Sequence, residues 1–464
     1  MPWIICKDNK IAKGNIMTTR FTELSILFFS VAKWFLLATV VGLLVGLSST
    51  LILIVLQGSI TFTQSFPYVF LLLPVSLALS GAMTAHFAFR ARGYGTEQVI
   101  RAIHQEGGKI HPRVIPVKFI ATIVTIASGG SAGNVGPCAQ IGGALCSTFG
   151  QFIRLEDVDR VRLVVCGISA GFAAVFGTPV AGALFAIEVL WVGRLSYGAL
   201  FPSLVSAFVG HQVAAYMGIT YLSPVFPSVP SLSIPFLLSV GLAGITFGVA
   251  AFAFVEMMGL GKRLALLTKT SPVLTGVIGG VILIGVTFLF SDDYLGLGWT
   301  TVAQTLKGDD LPWYAFAVKA VTTSVTLNFG GSGGILLPLC FYGATLGSTL
   351  AHGLGLDPTT LAALGFVSVL AGATNTPIAS LVLALELFGP AIAPYAATSC
   401  AMSYLLTGHR SVIPTQLLHE SKSPSFALAS QQEIERVTLA IKARRTTFTK
   451  IFFGKRSSPE SSDE

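Results

Sequence analysis

Nine residues, GGSAGNVGP at 129–137, interrupt an otherwise strongly apolar stretch of the chain. Glycines and a proline at that density break a helix. In lipid a broken backbone strands its N–H and C=O groups unless it lines a cavity or is covered by protein. The chemistry open to such a stretch is recognition of an anion by bare N–H groups. A helix that starts there carries about half a positive unit charge at its N-terminus, and proline suits its first turn. Two such starts that meet can hold an anion without any lysine or arginine touching it.

A second start of the same kind exists. GGSGGILLP at 330–338 repeats the pattern G-G-S-x-G-x-x-x-P at an offset of 201 residues. Lys118 and Lys319 each precede their motif by eleven residues, and TPVAGALFAIE (178–188) is echoed by TPIASLVLALE (376–386). Each of those segments sets a glutamate, Glu188 or Glu386, nine residues after its proline. Residues 117–190 and 318–388 are therefore two copies of one unit. Repeats in membranes are often inverted about an axis in the membrane plane, which would bring the two broken stretches together at mid-membrane. Carboxylates within a membrane are functional by default. Their matched placement here points instead to a structural role, pairing with a helix N-terminus or a basic side chain. Lys118 and Lys319 either stabilise the fold or raise the potential along an anion path. Glu97 and Arg101, at i and i+4, read as a helix-surface pair.

These residues need apolar helices to hold them, and the composition supplies them. Of 464 residues, 53% are hydrophobic and 11% are charged, against roughly 25% charged in a soluble domain. Runs such as Trp34 to Leu56 and Phe236 to Phe254 are long enough to span a bilayer. The fold class is all-α, a polytopic membrane protein, and the first apolar run reads as retained rather than cleaved. Several other apolar blocks are too short for a full crossing, as in transporter-like interiors built of broken helices. Basic residues at both ends of the chain place both termini in the cytoplasm, and they read as topology and headgroup contacts rather than as a nucleic-acid surface. The six cysteines show no CxxC or metal spacing, so no metal and no cofactor is expected. No nucleophile–base arrangement points to an enzyme. The expected organisation is a cytoplasmic segment at 1–30, a transmembrane domain at 31–413 and a cytoplasmic tail at 414–464. That tail is expected to carry one amphipathic helix around Gln432 to Arg445 and then a disordered end.

In combination, Gly-Tyr-Gly-Thr at 93–96, Gly-Asn-Val-Gly-Pro at 133–137, the GxxxP of 334–338 and the two Thr-Pro-to-Glu segments resemble the CLC chloride channel and transporter family. The resemblance covers about residues 31–413. It implies many tilted helices of uneven length, an inverted repeat in each subunit, and a homodimer with one anion pore per subunit in the inner (plasma) membrane. The tail after Thr415 is too short for the paired regulatory domain that some relatives carry. The resemblance also implies an outer anion site at the amides of Val135 and Gly136 and a central one at Ile335 and Leu336. The loop of Tyr94 and Gly95 would approach the ion from the cytoplasmic side. Tyr94 stands where the family often has a serine, and Ile413 is the best match to a pore tyrosine. The largest departures concern protons. Val135 stands at the gating glutamate of the family's exchangers, and Val189, next to Glu188, stands at their inner proton glutamate. Transport of chloride or another small anion by a passive route is the reading these residues favour. The alternatives are a proton-coupled exchanger with an unconventional path, through Glu188 for example, and a non-conducting scaffold plugged by Val135 and Tyr94.

Overall fold

The computed structural model describes residues 16–221, 229–230, 233–309, 311–423, 426–427, 432–434 and 440–441. Its sixteen α-helices fall into two successive runs of eight. Each run opens with a long helix, Ile16–Gln64 or Ile234–Leu267, and then crosses back with Leu73–His86 or Pro272–Phe290. A short helix follows in each, Thr96–Gln105 or Trp299–Lys307. Next come Val114–Ala127 or Ala315–Asn328, and then Val135–Phe152 or Leu336–Leu354, which the glycine-rich stretches begin. The last three pairs are Asp157–Phe176 with Pro358–Thr374, Pro179–Glu188 with Pro377–Phe388, and Leu200–Tyr216 with Ala393–Leu406. The repeat is thus larger than its sequence landmarks at 117–190 and 318–388.

Small residues set how closely these helices pack. A Cβ on Gly42 would lie 2.8 Å from the Ser206 carbonyl oxygen, and one on Gly248 would lie 3.0 Å from that of Ser403. The opening helix of each run therefore lies directly on its closing helix, the contact that small residues make possible in a membrane. Among the described residues, five helices are long and apolar enough to cross a bilayer, Thr22–Gln64 and Ile234–Leu267 among them. Their outward faces carry exposed apolar side chains such as Leu36, Leu47, Leu238 and Leu242, as lipid contact demands. The interior helices are shorter and nearly all buried. The Pro358–Thr374 helix is buried at every position from Thr360 to Thr374.

The first helix, Ile16–Gln64, starts within the 1–30 segment expected to precede the membrane domain. Of the segment expected as an amphipathic helix around Gln432 to Arg445, the described residues 432–433 and 440–441 are strand, and 435–439 and 442–445 lie outside the described residues. Gln432–Glu433 is a strand paired antiparallel with Leu417–Leu418, which itself pairs in parallel with Trp191–Val192. Ala440–Ile441 pairs with Phe426–Ala427. The cause is tertiary. Leu417–Leu418 offers an open edge, and pairing there lets Ile434 bury against Val192 and Leu418. Residues 442–464, where a disordered end was expected, lie outside the described residues.

Candidate anion pathway

The two glycine-rich stretches meet back to back. Gly133 N–H donates to the Gly334 carbonyl at 2.8 Å, and Gly334 N–H donates to the Gly133 carbonyl at 2.6 Å. Four further hydrogen bonds across this junction form two pairs related by the same offset. Ser131 N–H donates to Thr326 Oγ1 and Ser332 N–H to Thr125 Oγ1, both at 3.0 Å. The Ser131 hydroxyl pairs with Thr323, and the Ser332 hydroxyl with Thr122. These serines and threonines are buried, so the polar letters of the motif tie one copy to the other. The broken backbones are satisfied by protein, as lipid requires.

Val135 and Leu336 open the two helices at this junction. Neither helix is capped by the side chain of its N-cap residue, Asn134 or Ile335. Gly136 is squeezed from two sides. A Cβ there would lie 2.2 Å from the Tyr94 carbonyl oxygen and 2.8 Å from Gly334 Cα. Gly95, at φ +87°, rides on Gly136 so closely that its own Cβ would come 2.4 Å from the Gly136 carbonyl oxygen. Tyr94, Gly95, Val135, Gly136, Ile335 and Leu336 are therefore brought together. Ile413 is fully buried in the same core, its N–H donates to Ser411 Oγ at 3.0 Å, and its neighbours Ser411, Val412 and Pro414 line the nearby cavity.

Two cavities approach the junction. One, of about 1040 Å³, runs from Leu53–Phe62 on the first helix past Trp299, Thr300 and Tyr221 to Asn134. The other, of about 700 Å³, reaches Tyr94, Asn328, Gly330 and Gly331, and five basic side chains, Arg92, Arg101, Lys262, Arg263 and Lys269, outnumber two acidic ones, Glu97 and Glu256, around it. Tyr94 is 9% exposed and its hydroxyl donates to Asn328 Oδ1 at 3.2 Å. The Asn328 amide nitrogen is taken by the Ser324 and Met258 carbonyls, so only the oxygen can face Tyr94. Sequence reasoning missed Asn328. The available signal was a polar residue directly ahead of Phe329–Gly330–Gly331, where the first copy has Ala127.

The charged residues hold backbone. Glu188 accepts the N–H groups of Ile378 and Ala379 at 3.1 and 2.7 Å, and Glu386 accepts those of Val180 and Ala181 at 3.0 and 2.8 Å. Each carboxylate thus caps the helix start of the opposite copy, where the dipole favours negative charge. Lys118 donates to the carbonyls of Ala91 and Gly93. Lys319 donates to those of Tyr294, Leu295 and Gly296. Val189 is fully buried, with its carbonyl accepting from Gln416 Nε2 at 2.8 Å. Glu97 and Arg101 do pair, at 3.3 Å. Glu97, however, is only 9% exposed, so the pair is not a plain surface one.

The sequence model of the voltage gated chloride channel family matches residues 76–408, which spans both glycine-rich stretches and both capping glutamates. The chain belongs to the CLC family. A chloride/fluoride channel protein from Pseudomonas syringae pv. tomato is 39% identical over 399 residues, covering 84% of this chain and 88% of that one. An H(+)/Cl(-) exchange transporter from Vibrio vulnificus is 27% identical, covering 83% and 86% of the two chains. The crystal structure of a CLC-type fluoride/proton antiporter superposes with a TM-score of 0.80 at 30% identity, covering 84% of this chain and 99% of that one. As a CLC protein the chain is a helical membrane protein of anion transport, not an enzyme, and the two eight-helix runs are the family's inverted repeats.

Proposed function

We propose that the protein is a passive pathway for small halide ions, with chloride and fluoride as the first ions to test. The anion would descend from an outer vestibule, the 1040 Å³ cavity, past the amides of Val135 and Gly136. It would pass a central site at Ile335 and Leu336, and then Tyr94 and Gly95, to the basic 700 Å³ inner vestibule. The observation that carries the reading is Val135. It opens a helix at the junction between the two vestibules, is fully buried, and has no proton to exchange. A second point agrees. Val189 is apolar and fully buried, and the neighbouring Glu188 is committed to two backbone N–H groups of the other copy. Neither position supports a proton relay. Fluoride enters because the 39% identical relative is named a chloride/fluoride channel. Proton coupling remains the competing reading because the superposed structure is titled a fluoride/proton antiporter.

The decisive experiment is the reversal potential of the full chain in liposomes under separate chloride, fluoride and pH gradients. A potential that follows the anion gradient and ignores pH is expected. Uphill proton movement on an anion gradient overturns the passive reading, and no current in either gradient leaves only the scaffold. We further propose that the protein is a homodimer with a separate pore in each subunit and with both termini cytoplasmic, the plasma membrane being its location. Photobleaching of single labelled complexes in bilayers should show two steps, and labelling of a cysteine introduced near either terminus should require access from inside.

A further inference from the structure

We propose that His409 and Lys422 form a proton-sensitive latch on the wall of the inner vestibule, which acid opens to slow anion transport. The inference rests on the assignment of the 700 Å³ cavity to the anion path. After the helix Ala393–Leu406 the chain runs out from His409 and comes back to it at Lys422. The Lys422 N–H donates to His409 Nε2 at 3.0 Å. Lys422 Nζ donates to the Tyr404 carbonyl at 2.6 Å, near the end of that helix, and lies 3.9 Å from the centre of the Tyr404 ring. Within the strap so closed, Ser411, Val412 and Pro414 line the vestibule. Thr415 Oγ1 donates to the Glu97 carbonyl at 3.0 Å, on the helix that starts directly after Tyr94 and Gly95. The strap thus carries part of the vestibule wall and is bonded to the helix that follows the Tyr94 loop. With its ends released, that wall loses its fixed position, and an ion path depends on supports that keep its geometry.

A backbone N–H can only donate, so the bond fixes His409 Nε2 as an acceptor and the imidazole as neutral. A proton on Nε2 makes it a second donor facing the first. Ser421 Oγ lies within 3.4 Å of Nε2, but turning toward it still strands the Lys422 N–H. The added charge also falls beside Lys422. Burial, and after it the charge of Lys422, holds the His409 imidazole below its ordinary 6.5, and burial brings the Lys422 ammonium down to about 7. Of the other charges nearby, Arg410 is paired with Glu256, and Glu420 and Glu188 act on the Tyr404 ring that Lys422 covers. A base whose pKa is lowered in the closed state takes up its proton more readily once the latch is open. The closed latch is therefore favoured at neutral pH and loses ground as pH falls below 6.5.

The test uses the full chain in liposomes with the same pH on both sides, so that the orientation of the protein does not matter. Chloride efflux through the native protein should fall between about pH 7.5 and 5.5, the range in which a histidine changes charge. The fall should reach up to about tenfold, the change that one unit of pKa difference between closed and open latch allows. His409→Gln keeps an acceptor for the Lys422 N–H and cannot titrate, so its efflux should stay at the native neutral-pH level throughout. Lys422→Met keeps the N–H and removes the neighbouring charge, so the acid effect should shrink. Acid inhibition of His409→Gln equal to that of the native protein overturns the proposal, as does native efflux indifferent to pH. Should the native protein carry no chloride at neutral pH, the transport reading fails and the latch is judged by hydrogen exchange at the Lys422 amide. Expressed as a protection factor, which removes the intrinsic pH dependence of exchange, protection should fall on acidification in the native protein and hold in His409→Gln. Constant protection in the native protein overturns the latch whatever transport shows.

Discussion

The two glycine-rich junctions, at Gly129–Pro137 and Gly330–Pro338, share matched hydrogen bonds with each other and differ in what packs against them from outside. Hydrogen bonds between the copies are reciprocal at Gly133 and Gly334, at Ser131 and Ser332, and at Glu188 and Glu386. Away from that core the symmetry fails. Gly296 N–H docks on the Gly129 carbonyl at 3.0 Å, and Leu295 packs there with Leu73, Leu77 and Leu283. At the same offset Tyr94 stands in place of Leu295 and Asn328 in place of Ala127, and a 700 Å³ cavity reaches Gly330. The contrast separates two jobs of one motif. The symmetric contacts hold the two broken helices together. The asymmetric ones decide which face is sealed with leucine and which opens on a cavity.

The strongest way to break that comparison is a carboxylate placed in each copy. Val135→Glu sets it at the helix start beside the proposed outer approach, where it would compete with the anion for the same N–H groups. Transport should fall more than tenfold as pH rises through the titration of that carboxyl, which begins from about 4.3 in a free glutamate, and it should recover on acidification. Leu336→Glu sets the same group at the matched position; both side chains are buried in one core, but Asn134 ahead of Val135 lines the 1040 Å³ cavity, whereas Ile335 ahead of Leu336 is 2% exposed in that core. There the expected result is loss of folded protein, because an unpaired buried charge is expensive. Efflux between about pH 4 and 8, compared with yield from size-exclusion chromatography, separates the two. Identical behaviour of the two variants would show that the junction has no distinct outer face.

The capping glutamates test the symmetric part. Glu188→Gln replaces an oxygen that accepts an N–H with an NH₂ group facing a donor. It should cost about 1.5–3 kcal/mol, the range for hydrogen bonds to charged groups. Glu386→Gln should cost less, because Glu386 is half-buried where Glu188 is 6% exposed and solvent offsets part of the loss. Thermal unfolding in detergent reads both. Ion selectivity should not move in either variant. A change of selectivity in Glu188→Gln with unchanged stability would return Glu188 to the transport path.

Much of this was legible in the sequence, and the reason is duplication. Lys118 with Lys319, Glu188 with Glu386, and the two G-G-S stretches each appear twice at nearly one spacing, so the repeat and its inward-facing helix starts could be read without a fold. What pairs with what could not. Nothing local says that Glu188 caps the helix of the opposite copy, or that Ser131 bonds Thr326 across 195 residues. The tail was misread because Gln432–Glu433 takes its structure from a distant edge, Leu417–Leu418. Asn134 and Asn328 went unassigned for the opposite reason. They break the repeat, and a search for what recurs passes over what does not. Ile413, chosen by alignment alone, is fully buried while its neighbours Val412 and Pro414 line the cavity.

The smallest expected effect sits at the inner edge of the asymmetry. The Tyr94 hydroxyl has one hydrogen, and it points at Asn328 Oδ1. An anion reaching this level from the inner vestibule therefore meets a hydroxyl whose donor is engaged, and it must draw that hydrogen away to be bound. Tyr94→Phe in the native background should shift permeability ratios only slightly. Asn328→Ala releases the hydrogen toward the ion, so Tyr94→Phe made in that background should shift the ratios more. The coupling between the two changes should be about 0.5–1.5 kcal/mol, one hydrogen bond's net worth. Bi-ionic potentials for chloride against fluoride, measured for both single variants and the double, give it directly. Additive effects, with no coupling, would mean that the Tyr94–Asn328 bond is packing at the vestibule wall and that the open face discriminates anions elsewhere.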